Sequence, residues 1–415
     1  MRSGIDRRSV PWVRFPPDRS TEPFRGTMGH LRRRAAALGA PLAAFCLAAG
    51  PGAVAASAAP AEPVGGGRLG ETGTIVEAVP GLKPLPKINA KSWVIADGDT
   101  GDVLAAKNPH GQYLPASTLK TLTALALIPK LDANRLVRPS RAACDVEGTK
   151  VGMTPKMQYK VSDLFHALMM MSANDAAVTL AEAAGGMRPA LDLMNGEARR
   201  INARDTLAGS PNGLDVDLGL TVKTQHTSSY DLALIHREAM RNPAYVTYTS
   251  KLTHPFPAPP TKKERKKGKK TGGYPIYTHN RMLPGQRHEY DGMLGGKNGY
   301  TIAAGQTFVA SAKRGDKTII IALMKADLPP SPYAAKLLNW GFAAAGTAKP
   351  VGVLVPPGSL ERKVSHPSAG LLPPALAARD GSREWWLIGG GATGVALAGG
   401  ALTLVLRRRN PTDDA

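Results

Sequence analysis

Ser117 is the only one of the 19 serines followed three residues later by a lysine, in Ser117-Thr118-Leu119-Lys120. A serine hydroxyl is a weak nucleophile at its ordinary pKa and needs a base to take its proton. An amine one helical turn further on shares a face with the hydroxyl. Desolvated beside a second cation, that amine loses proton affinity and can serve as the base. At the start of a helix, free N–H groups and the dipole favour negative charge on an attacked carbonyl oxygen. Taken alone, the four residues read more readily as a helix cap followed by a surface lysine, so further groups are needed.

Two more short patterns supply them. Ser172-Ala173-Asn174 precedes the apolar series Ala177, Leu180, Ala181 and reads as a turn between helices, able to present a second hydroxyl and an amide. A second S-x-N, Ser210-Pro211-Asn212, reads as an ordinary turn on account of Pro211 and Gly213. For a cationic anchor there are two candidates. Lys270-Thr271-Gly272 ends a run of basic residues without apolar alternation, whereas Lys297-Asn298-Gly299-Tyr300 leads straight into a strand pattern. Lys297 is preferred. A glycine at 299 lets a substrate backbone approach, and the Tyr300 and Ser117 N–H groups could form an oxyanion hole.

The elements that must hold these groups follow from periodicity. Ser92–Ala96, turn residues 97–101 and Val103–Ala105 read as a hairpin. Apolar spacing predicts a helix from Ser117 to Ile128, closed by Pro129. A second helix carries Leu164, Phe165, Leu168 and Met169, with Ser162 and Asp163 as its cap, and the Met169–Met171 cluster reads as core filler. A late hairpin, 305–312 with 317–324, precedes a helix near 332–342. Strands at both ends around a helical middle predict an α+β domain whose terminal strands share one antiparallel sheet.

The order S-x-x-K, S-x-N, K-x-G resembles that of the serine DD-peptidases and β-lactamases. The surrounding wording is similar to the low-molecular-mass penicillin-binding proteins, D-alanyl-D-alanine carboxypeptidases, over roughly residues 90–346. It includes Tyr113 to Ser117, Met171 to Ala177, Asn212-Gly213-Leu214, Ser229 to Ala233 and Asn280 to Leu283. The resemblance implies an antiparallel sheet flanked by helices, with a helical subdomain and the site at the seam. It implies Ser117 as acylated nucleophile, Lys120 as base, Ser172 and Asn174 as proton-relay and substrate-orienting groups, and Lys297 as electrostatic anchor. The expected substrates are peptidoglycan stem peptides, trimmed of their terminal D-alanine, with penicillins and other β-lactams as inhibitors. The departure is Asn298 in place of threonine or serine: an amide can donate to a carboxylate but cannot relay a proton.

Rival chemistries fit less well. No H-x-H or H-E-x-x-H occurs among the nine histidines, and no G-x-S-x-G is present, so neither a metal site nor a cofactor is expected. His226, His236 and His279 read as structural. A β-lactamase would need a deacylating acid downstream of the second motif, and residues 208–220 offer only Asp215 and Asp217. An inactive wall-binding module is the reading from a different class.

Composition and charge set the surroundings. The net charge of +21 is distributed as short runs, with seven basic residues in Lys262–Lys270, six before residue 28 and Arg407 to Arg409. No aromatic residues interleave with them, which argues against nucleic acid. The 262–270 run reads as a solvated loop or a surface facing an anionic envelope. Of two cysteines, Cys46 and Cys144, the first lies in a leader, leaving a lone thiol read as an apolar filler.

Residues 1–27 read as untranslated or disordered, with translation starting at Met28. Arg32 to Arg34, an apolar Ala35–Ala49 stretch and small residues to Ala59 read as a signal peptide over 28–59. Gly- and Pro-rich segments predict linkers at 60–89 and 347–384 around a catalytic domain at 90–346. Trp385–Leu406 carries no charge over 22 residues and predicts a transmembrane anchor, with 407–415 as a cytoplasmic tail. The catalytic body would then be secreted and held at the outer face of the membrane.

Overall fold

The structure is a computed structural model that describes residues 62–77 and 80–360. The predicted leader, transmembrane anchor and tail, and residues 1–27, lie outside the described residues.

In chain order the strands are β1 (Thr74–Val76), β2 (Ala90–Asp97), β3 (Asp102–Lys107), β4 (Leu136–Val137), β5 (Tyr159–Lys160), β6 (Thr253–Ala258), β7 (Gly272–Tyr277), β8 (Met293–Thr301), β9 (Gly305–Arg314), β10 (Lys317–Ala326) and β11 (Gly352–Val353). The helices are α1 (Lys120–Leu127), α2 (Arg141–Asp145), α3 (Val161–Met170), α4 (Asn174–Ala183), α5 (Met187–Arg200), α6 (Ser229–Ala239), α7 (Pro243–Ser250), α8 (Lys262–Lys266) and α9 (Pro330–Ala344). One antiparallel sheet runs β1-β3-β2-β10-β9-β8, with β11 also on β3. The pairing of β2 with β10, Ile95 opposite Ile321, joins the two hairpins as the sequence pattern predicts.

Strand residues alternate between two cores. Val94, Ala96, Ile320, Ala322 and Met324 face a cluster with α1, α3, α4 and α6, while Trp93, Ile95, Ile319, Ile321 and Leu323 face one with α9. Because both faces are covered, Ile319-Ile320-Ile321 reads as a continuous apolar run rather than an alternating one. Truncating Ile321, fully buried, to alanine would cost about 2–5 kcal/mol.

Several expectations are corrected. Residues 74–76, read as linker, form β1, and 352–353, also read as linker, form β11; both pair with β3. Backbone hydrogen bonding, which a short segment's composition does not reveal, drew them in. Ser117 lies in a 3-10 turn, Ala116–Leu119, and α-helical bonding begins only at Lys120. Pro129 follows the helix inside another 3-10 turn rather than at its boundary. α3 starts at Val161 with Lys160 as its cap, so Ser162 and Asp163 sit in its first turn.

The basic 262–270 run is an ordered tip on the β6–β7 hairpin. Thr261 and Glu264 form a capping box around α8, in which the Glu264 carboxylate accepts from the Thr261 N–H at 2.8 Å and hydroxyl at 2.9 Å. The Lys and Arg side chains of that tip, Lys270 included, are exposed.

Candidate active site

Three segments converge at the seam between α1 and the free edge of β8. Lys120 is fully buried, and its Nζ lies 2.8 Å from Ser117 Oγ, 2.7 Å from Asn174 Oδ1 and 2.6 Å from the Asn212 carbonyl oxygen. Two of these partners are carbonyl oxygens, which only accept. A neutral amine has two N–H groups and one lone pair. In that form its N–H groups would go to Asn174 and Asn212, and its lone pair would face the Ser117 hydroxyl. Burial, then the nearby Lys297 cation, hold the Lys120 pKa well below 10.5, against a smaller opposing pull from Asp175. Those are the conditions for an amine to act as a base at neutral pH.

Ser172 is buried in the turn between α3 and α4, with φ of +66°, an uncommon conformation for a side-chain-bearing residue. Asn174 opens α4. Its amide accepts from Lys120 and donates one N–H to the Glu147 carbonyl at 2.7 Å, which leaves its second N–H open to a ligand. Lys297 is 1% exposed, its Nζ 2.6 Å from the Asn298 carbonyl oxygen, and burial lowers its pKa to about 7.

Gly299 stacks on the nucleophile's backbone. A Cβ there would lie 2.7 Å from the Ser117 nitrogen and 2.5 Å from Thr307 Oγ1, so only glycine allows this approach. Tyr300 is 60% exposed beside it. Asn298 points to the other face of β8, into a cavity of about 440 Å³ that it shares with His279, Arg281, Arg287 and His288. Burial, with Lys297 and Arg281 adding to it, lowers the His279 pKa to about 4. Lys270 stands on the exposed hairpin tip, away from these contacts.

Two contributors escaped the sequence reading. The Ser210–Gly213 turn, set aside above, is buried and supplies the Asn212 carbonyl to Lys120. Thr123 of α1 donates to the Pro211 carbonyl at 2.7 Å, and Gly213, at φ +82°, lies so close to Ala116 that a Cβ would sit 1.8 Å from its oxygen. A second S-x-N with a following glycine was the available signal. Asp175 is the other: its carboxylate accepts from the N–H groups of Val151, Gly152, Met153 and Ala176 at 2.9–3.2 Å, fixing the loop that holds Asn174. Asp215, weighed as a deacylating acid, accepts from the Thr301 hydroxyl and the Val216 N–H, both at 2.6 Å, and so links its loop to the end of β8. Among the described residues no cluster of three or more His, Cys, Asp or Glu could hold a metal.

Residues 80–328 match the family model described as D-alanyl-D-alanine carboxypeptidase, more than half of the chain. The chain belongs to that family. The D-alanyl-D-alanine carboxypeptidase DacB2 of Mycobacterium tuberculosis is 35% identical over 268 residues, 63% of this chain and 86% of that one. DacD of Escherichia coli, of the same activity by name, is 31% identical over 284 residues, 65% of this chain and 67% of that one. A crystal structure of D-alanyl-D-alanine carboxypeptidase from Mycobacterium tuberculosis superposes with a TM-score of 0.59 at 34% identity, covering 67% of this chain and 99% of that one. The α+β class with helices flanking an antiparallel sheet is therefore the family's fold.

Proposed function

We propose that the chain is a serine-type D-alanyl-D-alanine carboxypeptidase that removes the terminal D-alanine of peptidoglycan stem peptides. The observation that carries this reading is the buried Lys120 amine, 2.8 Å from Ser117 Oγ and flanked by two carbonyl oxygens, which in the neutral form would turn its lone pair to Ser117. Lys120 takes the Ser117 proton as Oγ attacks the carbonyl between the two D-alanines. The Ser117 and Tyr300 N–H groups receive the oxyanion. The C–N bond then breaks, the leaving D-alanine nitrogen acquires the proton by way of Lys120 and Ser172, and an ester to Ser117 remains. Water hydrolyses that ester. Lys297, with the Asn298 backbone, anchors the terminal carboxylate, and a β-lactam would form the same ester and persist as an inhibitor.

Asp215 is bonded to the Thr301 hydroxyl and the Val216 N–H rather than to Ser117 or Lys120, which favours a peptidase over a β-lactamase. Release of D-alanine from a diacetylated tripeptide ending in D-Ala-D-Ala, blocked by penicillin, is the expected result. Ser117→Ala should abolish both that release and labelling by a fluorescent penicillin. An intact protein that labels at no serine would instead be the inactive wall-binding module.

The place of action belongs to the same proposal. Arg32 to Arg34 with the apolar stretch after them support export, and Trp385–Leu406 supports a C-terminal membrane anchor. No helix among the described residues is long and apolar enough to cross a membrane. Fractionation of cells carrying the full chain and a chain ending at residue 384 tests this: the first should follow the membrane and the second should be released.

A further inference from the structure

Thr249, in the last turn of α7, is buried, and its hydroxyl makes two bonds to one residue of β8. It accepts from the Gly296 N–H at 3.1 Å and donates to the Gly296 carbonyl at 3.0 Å. A single side chain thus makes the pair of bonds that a neighbouring strand would make at that position. Backbone groups in an antiparallel strand alternate in direction, so those of Asn298 and Tyr300 face the same free edge as those of Gly296. The Lys297 ammonium, at the Asn298 carbonyl, already lies along it.

The clasp is held from two further sides. A Cβ on Gly295 would lie 2.5 Å from the Thr249 methyl, so that methyl fills the space the glycine leaves. Tyr245 of α7 has its hydroxyl 3.2 Å from His236 Nδ1, and His236 Nε2 lies 3.1 Å from Ser311 Oγ, on β9 opposite Gly295. Burial lowers the His236 pKa to about 3, so the ring stays neutral and one nitrogen donates while the other accepts. His236 therefore ties α7 to the sheet.

We propose that Thr249 is the stop of the substrate groove and limits cleavage to peptides ending one residue beyond the scissile bond. This rests on the serine-peptidase reading above. With the scissile carbonyl at the Ser117 and Tyr300 N–H groups, a peptide lying antiparallel on the β8 edge runs towards Lys297. Its carboxylate meets the ammonium at Asn298. A chain that continued would next need the groups of Gly296, which Thr249 holds. Thr249 touches no reacting atom; it is a positioning residue that sets specificity by occupying the edge.

The test compares the native protein with Thr249→Ala, which removes both the hydroxyl and the methyl from the edge, and Thr249→Ser, which keeps the hydroxyl. Each is given a peptide ending in D-Ala-D-Ala and the same peptide extended by a C-terminal glycine. Thr249→Ala should raise the extended-to-terminal ratio of kcat/KM by about tenfold or more, and Thr249→Ser should keep it within about threefold of native. Should Thr249→Ala fail to fold, Thr249→Cys, small and only weakly hydrogen-bonding, is read by the same ratio. Equal losses on both peptides would overturn the proposal and leave Thr249 a packing residue. Labelling by fluorescent penicillin separates the failures. A native protein that does not label sinks the reading of Ser117 and the groove stop with it, whereas full labelling with an unchanged ratio sinks the stop alone.

Discussion

The two walls of the cleft are built in opposite ways. On the helical side the groups that hold Lys120 are themselves held: Asn174 is bonded at both ends of its amide, Asp175 takes four N–H groups, and the 210–213 turn is locked to α1. On the strand side, Lys297 is buried with the Asn298 carbonyl as its partner, and the edge beyond Gly296 is left for a ligand. The helical wall is finished before substrate arrives, as a base must be to act without reorganisation. The strand wall is completed by the peptide. Loss on the first wall should therefore fall on chemistry, and loss on the second on binding.

The largest expected effect is on the helical wall. Lys120→Ala should lower the acylation rate by about 10²–10⁴-fold, the usual contribution of a positioned general base, with KM little changed. Single-turnover kinetics with a fluorescent penicillin measure it; a loss confined to KM would erase the contrast between the walls. Lys297→Ala should cost about 10- to 100-fold in kcat/KM, the worth of a charged hydrogen bond, chiefly through KM.

The pH profile sharpens the comparison. On the proposed mechanism Lys120 works as the neutral amine, so activity should fall as pH drops through its lowered pKa. Lys297 works as the cation, so activity should also fall as pH rises through about 7. Lys297→Arg should remove the alkaline limb of kcat/KM, because a guanidinium keeps its proton. For stability the sign is reversed. Between about 7 and 10.5 the unfolded chain holds a proton on residue 297 that the folded one lacks, so folding grows more favourable with rising pH in that window.

Smaller effects follow. Gly213→Ala forces a side chain into a positive φ against Ala116 and should cost more than about 1 kcal/mol in a denaturant titration. Lys270→Ala should leave labelling and turnover unchanged; a loss there would restore the literal K-T-G as the anchor.

The sequence made legible what depends on period and on local order. The two hairpins, the α1, α3 and α9 helices and the sharing of one sheet by both ends were readable because each has a length and an alternation of its own. The choice of Lys297 over Lys270 rested on the strand pattern that follows it, and the structure brings Gly299 against the Ser117 backbone while Lys270 stands on the hairpin tip. What escaped was made by contacts between distant segments. The S-x-N of residues 210–212 marks the turn but not its role, since the part of Asn212 is played by a backbone carbonyl 92 positions from its partner. Strands of two or three residues, such as 352–353, carry too few side chains to show a period. The 3-10 bonding at Ser117, which follows Ala116 at φ +47°, likewise has no periodicity by which to read it.

The first and last strands meet on β3, beside the sheet edge opposite β8. β1 and β11 both pair with β3, and the Val353 N–H donates to the Gly65 carbonyl at 3.0 Å. From β1 to β8 there are five strand spacings of about 4.8 Å, or about 24 Å. A pull applied at either end of the described residues would therefore reach β3 before the strand that lines the groove.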